Sequence, residues 1–281
     1  MGIKELISTF VQSFSRARLN SPRVKGVLLF SAGIYTVIIV SLGYAWYSRQ
    51  WVSGFHFFND AAEWKQMDKF AHFFWAFQVS ALATRLMTWA QLDEKAAAHV
   101  GTMLGFLFVS SIEIPDGFSE RYGASFFDVL ANTLGCVAFL LQRIVWKKIN
   151  IWPKFSFHTT SFAPLRPAML GDGFLEEILK DYNGQTFWYC LQIKKLPLPH
   201  WLTLAVGVGA EGMVYGRDEE NALMNFSPHR KYFLSFDLNL SRVKTSSKLL
   251  NSALYVLNVI KIPAPTLEFS SQGIKFHPIY F

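Results

Sequence analysis

The chain has 281 residues, of which 51% are hydrophobic, 17% are charged and 27 are phenylalanine. Soluble domains usually carry about 25% charged residues. With a mean hydropathy of +0.22, this balance excludes a disordered chain, a coiled coil and an ordinary cytosolic enzyme, and favours a membrane protein. The net charge is +7, but the basic residues are spread beside apolar runs, as the positive-inside rule expects, which argues against a nucleic-acid partner. Cys136 and Cys190 are too few for a disulfide framework and lack a metal-type spacing.

In chain order, residues 1–23 form a basic amino-terminal segment, with Lys4, Arg16, Arg18 and Arg23 against the single acid Glu5. Residues 26–48 then run without a charge, which suffices for the roughly 20 residues that cross a bilayer core. Tyr44, Trp46, Tyr47 and Trp51 stand at the far end, as in an interfacial aromatic belt. An uncleaved anchor is expected here, because a signal peptide's apolar core of about 7–15 residues would be shorter and end in small residues. The run also offers no lipobox cysteine.

Residues 70–92, 96–112 and 129–142 read as three further helices. The first carries His72 and Arg85, and the second holds Gly101 and Gly105 at the small-xxx-small spacing that lets helices pack closely in lipid. Their uncharged cores are shorter than a full span, so a soluble helical bundle on one anchor is the alternative to four spans. The expected fold class is an α-helical membrane bundle of about four helices over residues 24–148, followed by a small α+β region over residues 149–281. Basic flanks at the amino terminus and at Arg143, Lys147 and Lys148 place both termini in the cytoplasm of an inner membrane. Periplasmic or outer-membrane association is the alternative. The outer-membrane version is prompted by the terminal aromatic of His277-Pro-Ile-Tyr-Phe281, since such endings occur on barrel strands.

Past residue 150, Pro153, Pro164 and Pro167 mark an irregular linker. Residues 173–182 read as a short helix, and 186–194, 201–208 and 231–240 as strands. The last of these alternates Tyr232, Leu234, Phe236, Leu238 and Leu240 with polar neighbours. Residues 249–260 read as a helix stopped before Pro263, and 266–269 with 274–281 as a hairpin turning at Gly273. Gly207, Gly209 and Gly212 spell G-x-G-x-x-G, but without a following helix and a distant acid this is no dinucleotide site.

Polar residues gather in residues 59–135. Asp68, Lys69 and His72 open the second helix, with Asp68 and His72 at i, i+4 on one face. Glu113 and Asp116 close the third, Arg121 follows, and Ser125, Asp128 and Asn132 open the fourth on one face. Four spans would bring these groups to one outer rim. Ionisable groups at membrane depth are costly, which makes the rim a candidate functional site. Each residue also has a structural use. Ser125 can cap a helix with Asp128 at its third position, the acids can pair with Lys69 and Arg121, and His72 and Asn132 can hold helices together.

The string D-K-x-x-H-F, then E-x-x-D, then S-x-x-D-x-x-x-N-x-x-G is carried by Asp68, Lys69, His72, Phe73, Glu113, Asp116, Ser125, Asp128, Asn132 and Gly135. It resembles the YfiM-like domain of unknown function over residues 59–140, and is loosely similar to VanZ-like membrane proteins. The remainder, with D-Y-N-G-Q-T at residues 181–186 and K-x-P-A-P-T-x-E at 261–268, resembles the long form found in Bacteroidetes-type bacteria. The resemblance implies a predicted periplasmic lipoprotein with no established reaction.

The cluster admits two chemistries and one binding role. His72 with Asp68, Glu113, Asp116 and Asp128 would suit a divalent cation through oxygen and imidazole ligands, and the cofactor is otherwise left open. As catalytic candidates, His72, Asp68 and Asp128 would serve a hydrolase or transferase acting on a lipid or cell-wall headgroup, with Lys69 and Arg121 holding a phosphate. The preferred expectation is binding or scaffolding in the bacterial envelope. Its partners would be membrane lipid and an envelope protein, and Phe55, Phe57 and Phe58 would form an aromatic surface.

Overall fold

The structure is a computed structural model that describes residues 21–47, 54–120, 122–192 and 199–281. The chain divides into two compact units, residues 1–60 with 72–149 and residues 61–71 with 150–281.

The first unit is helical. It contains α1 (Pro22–Tyr47), most of α2 (Met67–Trp89), α3 (Glu94–Ser110), the short α4 (Glu113–Gly117) and α5 (Phe126–Val145). Asp93 starts α3 by accepting a hydrogen bond from the Ala96 amide at 2.9 Å, and Ser125 starts α5 by accepting one from the Asp128 amide at 3.2 Å. Val24 and Val27 of α1 pack on Met87, Ala97 and Val100. Further along, Leu29, Phe30 and Val37 of α1 are exposed.

Helices α2 and α3 touch through their small residues. A methyl group added at Gly101 would lie 2.2 Å from Thr84 Oγ1 and 2.4 Å from the Thr84 backbone nitrogen, and one at Gly105 would lie 2.2 Å from Ser80 Oγ. Gly101→Val is therefore expected to force the two helices apart and to cost about 1–3 kcal/mol through overpacking. Thermal melting of the detergent-solubilised protein, followed by circular dichroism, measures that loss.

Among the described residues, three helices are long and apolar enough to cross a membrane: Pro22–Tyr44, Glu94–Gly117 and Phe126–Val145. Helix α2 is not among them, because Asp68, Lys69, His72, Gln78 and Arg85 interrupt it. That corrects the expectation of an α-helical membrane bundle of about four helices. The expected small α+β region is corrected too, since the carboxyl-terminal half is built on a six-stranded antiparallel sheet in the order β1-β2-β3-β4-β5-β6. The strands are β1 (Ile151–Phe157), β2 (Gln185–Leu191), β3 (Leu202–Glu211), β4 (His229–Leu238), β5 (Ala264–Ser270) and β6 (Gly273–Tyr280). The stretch around Pro153, expected as an irregular linker, is strand β1. Proline is tolerated there because β1 is an edge strand. Helices α6 (Phe174–Lys180), α7 (Asp218–Leu223) and α8 (Lys248–Leu257) lie between strands.

The sheet curls on itself. Lys154 on β1 reaches Asp237 on β4 at 2.6 Å, and the Thr186 hydroxyl on β2 meets the Tyr280 hydroxyl on β6 at 3.1 Å. The Trp188 ring lies 5.6 Å from Phe233 and 6.0 Å from Tyr280. Gly207 makes room for it, since a methyl group at that position would lie 2.8 Å from the indole. The outer edge of β1 is closed by residues 259–261, where the Phe155 amide donates to Val259 O and the Lys261 amide donates to Phe155 O, both at 2.9 Å.

Residues 61–71 belong to this unit through specific bonds. The Trp64 amide donates to Gly216 O at 2.7 Å, Lys65 pairs with Asp218 at 2.5 Å, and Glu63 accepts from Arg217 at 3.1 Å. These contacts hold Trp64, Lys65 and Gln66 in the left-handed region, at φ of +50°, +50° and +57°, which side-chain-bearing residues rarely adopt.

Candidate functional site

The helical unit builds its polar site around His72, one turn inside α2. Asn132, on the first turns of α5, fixes the imidazole: the Asn132 amide nitrogen donates to Ser110 Oγ at 3.3 Å, which leaves its oxygen as the partner of His72 Nδ1 at 3.1 Å. His72 Nδ1 must then carry the proton in that bond. The other ring nitrogen, Nε2, faces two carboxylates, Asp128 Oδ1 at 3.7 Å and Glu113 Oε1 at 4.0 Å. A bare lone pair would be repelled by both, so the space between them suits a positive occupant such as a metal ion.

The Glu113 carboxylate is itself oriented. Glu113 Oε2 accepts the Ser125 amide at 2.8 Å, and Ser125 Oγ both donates to Asp60 Oδ1 at 2.6 Å and caps α5 at the Asp128 amide. Asp60 is held by a strap in which the Phe58 amide donates to Ala124 O and the Ala124 amide donates to His56 O, both at 3.0 Å. Gly123, at φ of +134°, lets the strap come close, since a methyl group there would lie 2.5 Å from Phe58 Cβ. Gly135 does the same for α2, where a methyl group would lie 2.2 Å from the Phe73 carbonyl oxygen. Glu113, Ser125, Asp128 and Asn132 are all buried.

Of the residues expected from the sequence, the helical unit thus gathers His72, Glu113, Ser125, Asp128 and Asn132 into one network. Asp116 lies on α4 with Glu113 and accepts the Ser119 amide through its backbone oxygen at 3.0 Å. Asp68 and Lys69 fall in the sheet unit. There Asp68 pairs with Lys69 at 2.8 Å and accepts the Tyr182 hydroxyl at 2.6 Å. Because α2 is one helix, Asp68 stands one turn before His72 on the same face. Arg121 lies outside the described residues. Asp60 and Ser110 are additional members of the helical network, and their sequence neighbourhoods carry no spacing that points to them; Tyr182 is an additional partner of Asp68 within the sheet unit. The aromatic residues of the strap pack in part, with Phe55 edge-on to Phe118 at 5.2 Å, while Phe57 stays exposed.

A helical unit with three membrane-length helices and a part-buried histidine facing two buried carboxylates is the class these observations define. Residues 55–143 match the family model of a predicted periplasmic lipoprotein, DUF2279. The resemblance expected for residues 59–140 therefore holds as similarity to an envelope family of unknown function, whereas the looser likeness to VanZ-like proteins is not shown. No curated protein and no solved structure matches the chain.

Proposed function

We propose that this is a membrane-associated protein of the bacterial envelope that holds a divalent cation between His72, Glu113 and Asp128. In this reading it uses the cation for hydrolysis or group transfer on a lipid or cell-wall headgroup. The observation that carries it is His72 itself, with Nδ1–H spent on Asn132 and Nε2 aimed between two buried carboxylates. A histidine that ligates metal usually donates its second ring N–H to a neighbouring acceptor in this way. The spacing also suits an ion. Donors about 2.1–2.3 Å from a shared cation can stand up to roughly 4.2–4.6 Å apart, and His72 Nε2 lies within that reach of each carboxylate, at 3.7 and 4.0 Å. Such a cation lowers the pKa of a bound water and polarises a phosphoryl or acyl oxygen. The envelope setting rests on the similarity of residues 55–143 to a predicted periplasmic lipoprotein family.

A packing role has its own support in the Ser125 cap and the Asn132–Ser110 bond, which would tie α2, α3 and α5 together without any ion. Elemental analysis of detergent-purified protein separates the two. The proposed site is expected to yield about one transition or alkaline-earth ion per chain, removable by a chelator with a fall in melting temperature. Metal-free protein that takes up no added zinc, manganese or magnesium, and melts alike with and without chelator, would leave only the packing role.

A further inference from the structure

Strands β4 and β5 turn charged and polar residues inward and apolar residues outward, and the outward apolar row continues onto β3 and β6. On β4, Lys231, Ser235 and Asp237 point into the curled sheet beside Phe233 and are buried, while Tyr232, Leu234 and Phe236 alternate with them on the outside and are exposed. Strand β5 repeats this, with Thr266 and Glu268 buried and Leu267 and Phe269 outside, and the pairing places Phe276 and Ile274 of β6 beside those two. Val206 extends the outer row onto β3, opposite Leu234. These outer residues are 37% to 70% exposed, whereas Asp237 and Thr266 are each 1% exposed. A domain folded in water puts its charges outside and its phenylalanines inside. The reverse arrangement, polar within and apolar outside in period-2 alternation, is stable where the surroundings are apolar, as on the lipid-facing side of a membrane barrel.

We propose that the outer face of β3–β6 is immersed in the acyl-chain region of a phospholipid bilayer. Three observations favour lipid over a second protein. The face is the outside of a sheet whose strands β1 and β4, and β2 and β6, meet across its interior, so it is convex. Fluid acyl chains conform to a convex apolar surface, whereas a protein partner needs a matching hollow. Next, the apolar rows end at a polar boundary. Where Leu202 pairs with Leu238, the surface forms an open depression of about 630 Å³ lined by His200, Trp201, Arg242, Val243 and Lys244. Tryptophan and basic side chains at the end of an apolar belt are what the headgroup layer of an anionic membrane selects. Finally, the same chain carries three helices long and apolar enough to enter a bilayer. The outer row of β4 from Tyr232 to Leu238 covers about 20 Å at the usual strand rise, enough to reach deep into one leaflet. The edge strand β6 carries Pro278, which blunts pairing with a neighbouring chain.

Collision accessibility of spin labels tests this in the full chain, reconstituted in vesicles of phosphatidylethanolamine and phosphatidylglycerol. Labels are placed at L234C, F236C and F276C, with L223C on the exposed end of α7 as the reference, and the native Cys136 and Cys190 are buried. The expected result is that oxygen outcompetes a water-soluble nickel chelate severalfold at positions 234, 236 and 276, with the order reversed at 223. Nickel-dominated collisions at all three positions would place the face in water. Weak collisions with both reagents would show it covered by another protein or a second copy. Either result overturns the proposal. A phospholipid with a photoactivatable acyl chain provides the matching experiment on the unmodified chain. Cross-links mapped to peptides of β4 and β6 are expected, and cross-links confined to α1, α3 and α5 would overturn it.

Discussion

Asp237→Ala is expected to destabilise the sheet unit by about 3–5 kcal/mol, the cost of leaving a buried charge without its partner. The Lys154 ammonium and the Asp237 carboxylate are 2.6 Å apart, and neither side chain is exposed. Asp237 also accepts the Ile262 amide at 2.9 Å, which fixes the segment that closes the edge of β1. Lys261 shares this interior, with its ammonium 4.6 Å from the Trp188 ring. Burial holds Lys261 below the ordinary lysine range, and Asp237 offsets part of that. The pH dependence follows from this direction. A lysine whose pKa is lowered by folding binds fewer protons in the native state than in the unfolded one, so its contribution to stability improves as pH rises from the folded pKa towards the unfolded one. Without Asp237 the depression deepens, so the loss in the Asp237→Ala variant is expected to be largest near neutral pH and to shrink in alkaline buffer. The double variant Lys154→Met with Asp237→Leu removes both charges of the pair and is expected to recover only part of the loss, because Lys261 and the Ile262 amide still lack Asp237. Unfolding curves at two pH values check all three statements. A single variant as stable as the parent at neutral pH would show that water or another group compensates the lysines.

That buried pair also explains why the sheet was only partly legible. The alternation of Tyr232, Leu234 and Phe236 with polar neighbours marks β4 as a strand with two unlike faces. Periodicity alone does not say which face is inside, and here the polar one is. Pro153 and Pro265 break the apparent strand pattern at β1 and β5, although both residues sit in strands. Residues 61–71 join the sheet unit through bonds to residues more than 100 positions away, such as Tyr182 to Asp68, and no local composition shift announces that. The helical unit was more readable. A charge-free run, a glycine pair four residues apart and a serine followed three residues later by an aspartate each encode a local constraint. The site was legible where helix spacing aligns its members, as for His72 on α2 and for Ser125, Asp128 and Asn132 on α5. Asp60 and Ser110 were not, since a loop strap and a helix end place them by tertiary contact alone.

His72→Gln is expected to remove the cation from the helical unit while leaving the protein in place. Glutamine keeps a polar side chain of similar reach and can still bond Asn132, so α2 and α5 stay joined. What it lacks is a second ring nitrogen aimed at Glu113 and Asp128. Changing an outer partner of a metal ligand typically costs 10–100-fold in affinity, and losing the ligand should cost at least about 100-fold. The measured metal content should therefore fall to background. The melting temperature should lose the increment that the bound ion supplies, which amounts to about 2.7 kcal/mol when the ion is present at 100 times its dissociation constant. Ser110→Ala tests the outer partner: it releases Asn132 without touching a ligand, so it should weaken binding by a smaller factor at unchanged stoichiometry. The order of the two variants is the discriminating feature. If the cluster only clamps helices, His72→Gln should melt like the parent, whereas Asn132→Ala, which leaves buried partners unmatched, should still cost about 1–3 kcal/mol. A metal site requires the opposite signature, in which the variant that preserves the hydrogen bond loses the ion and its chelator sensitivity together.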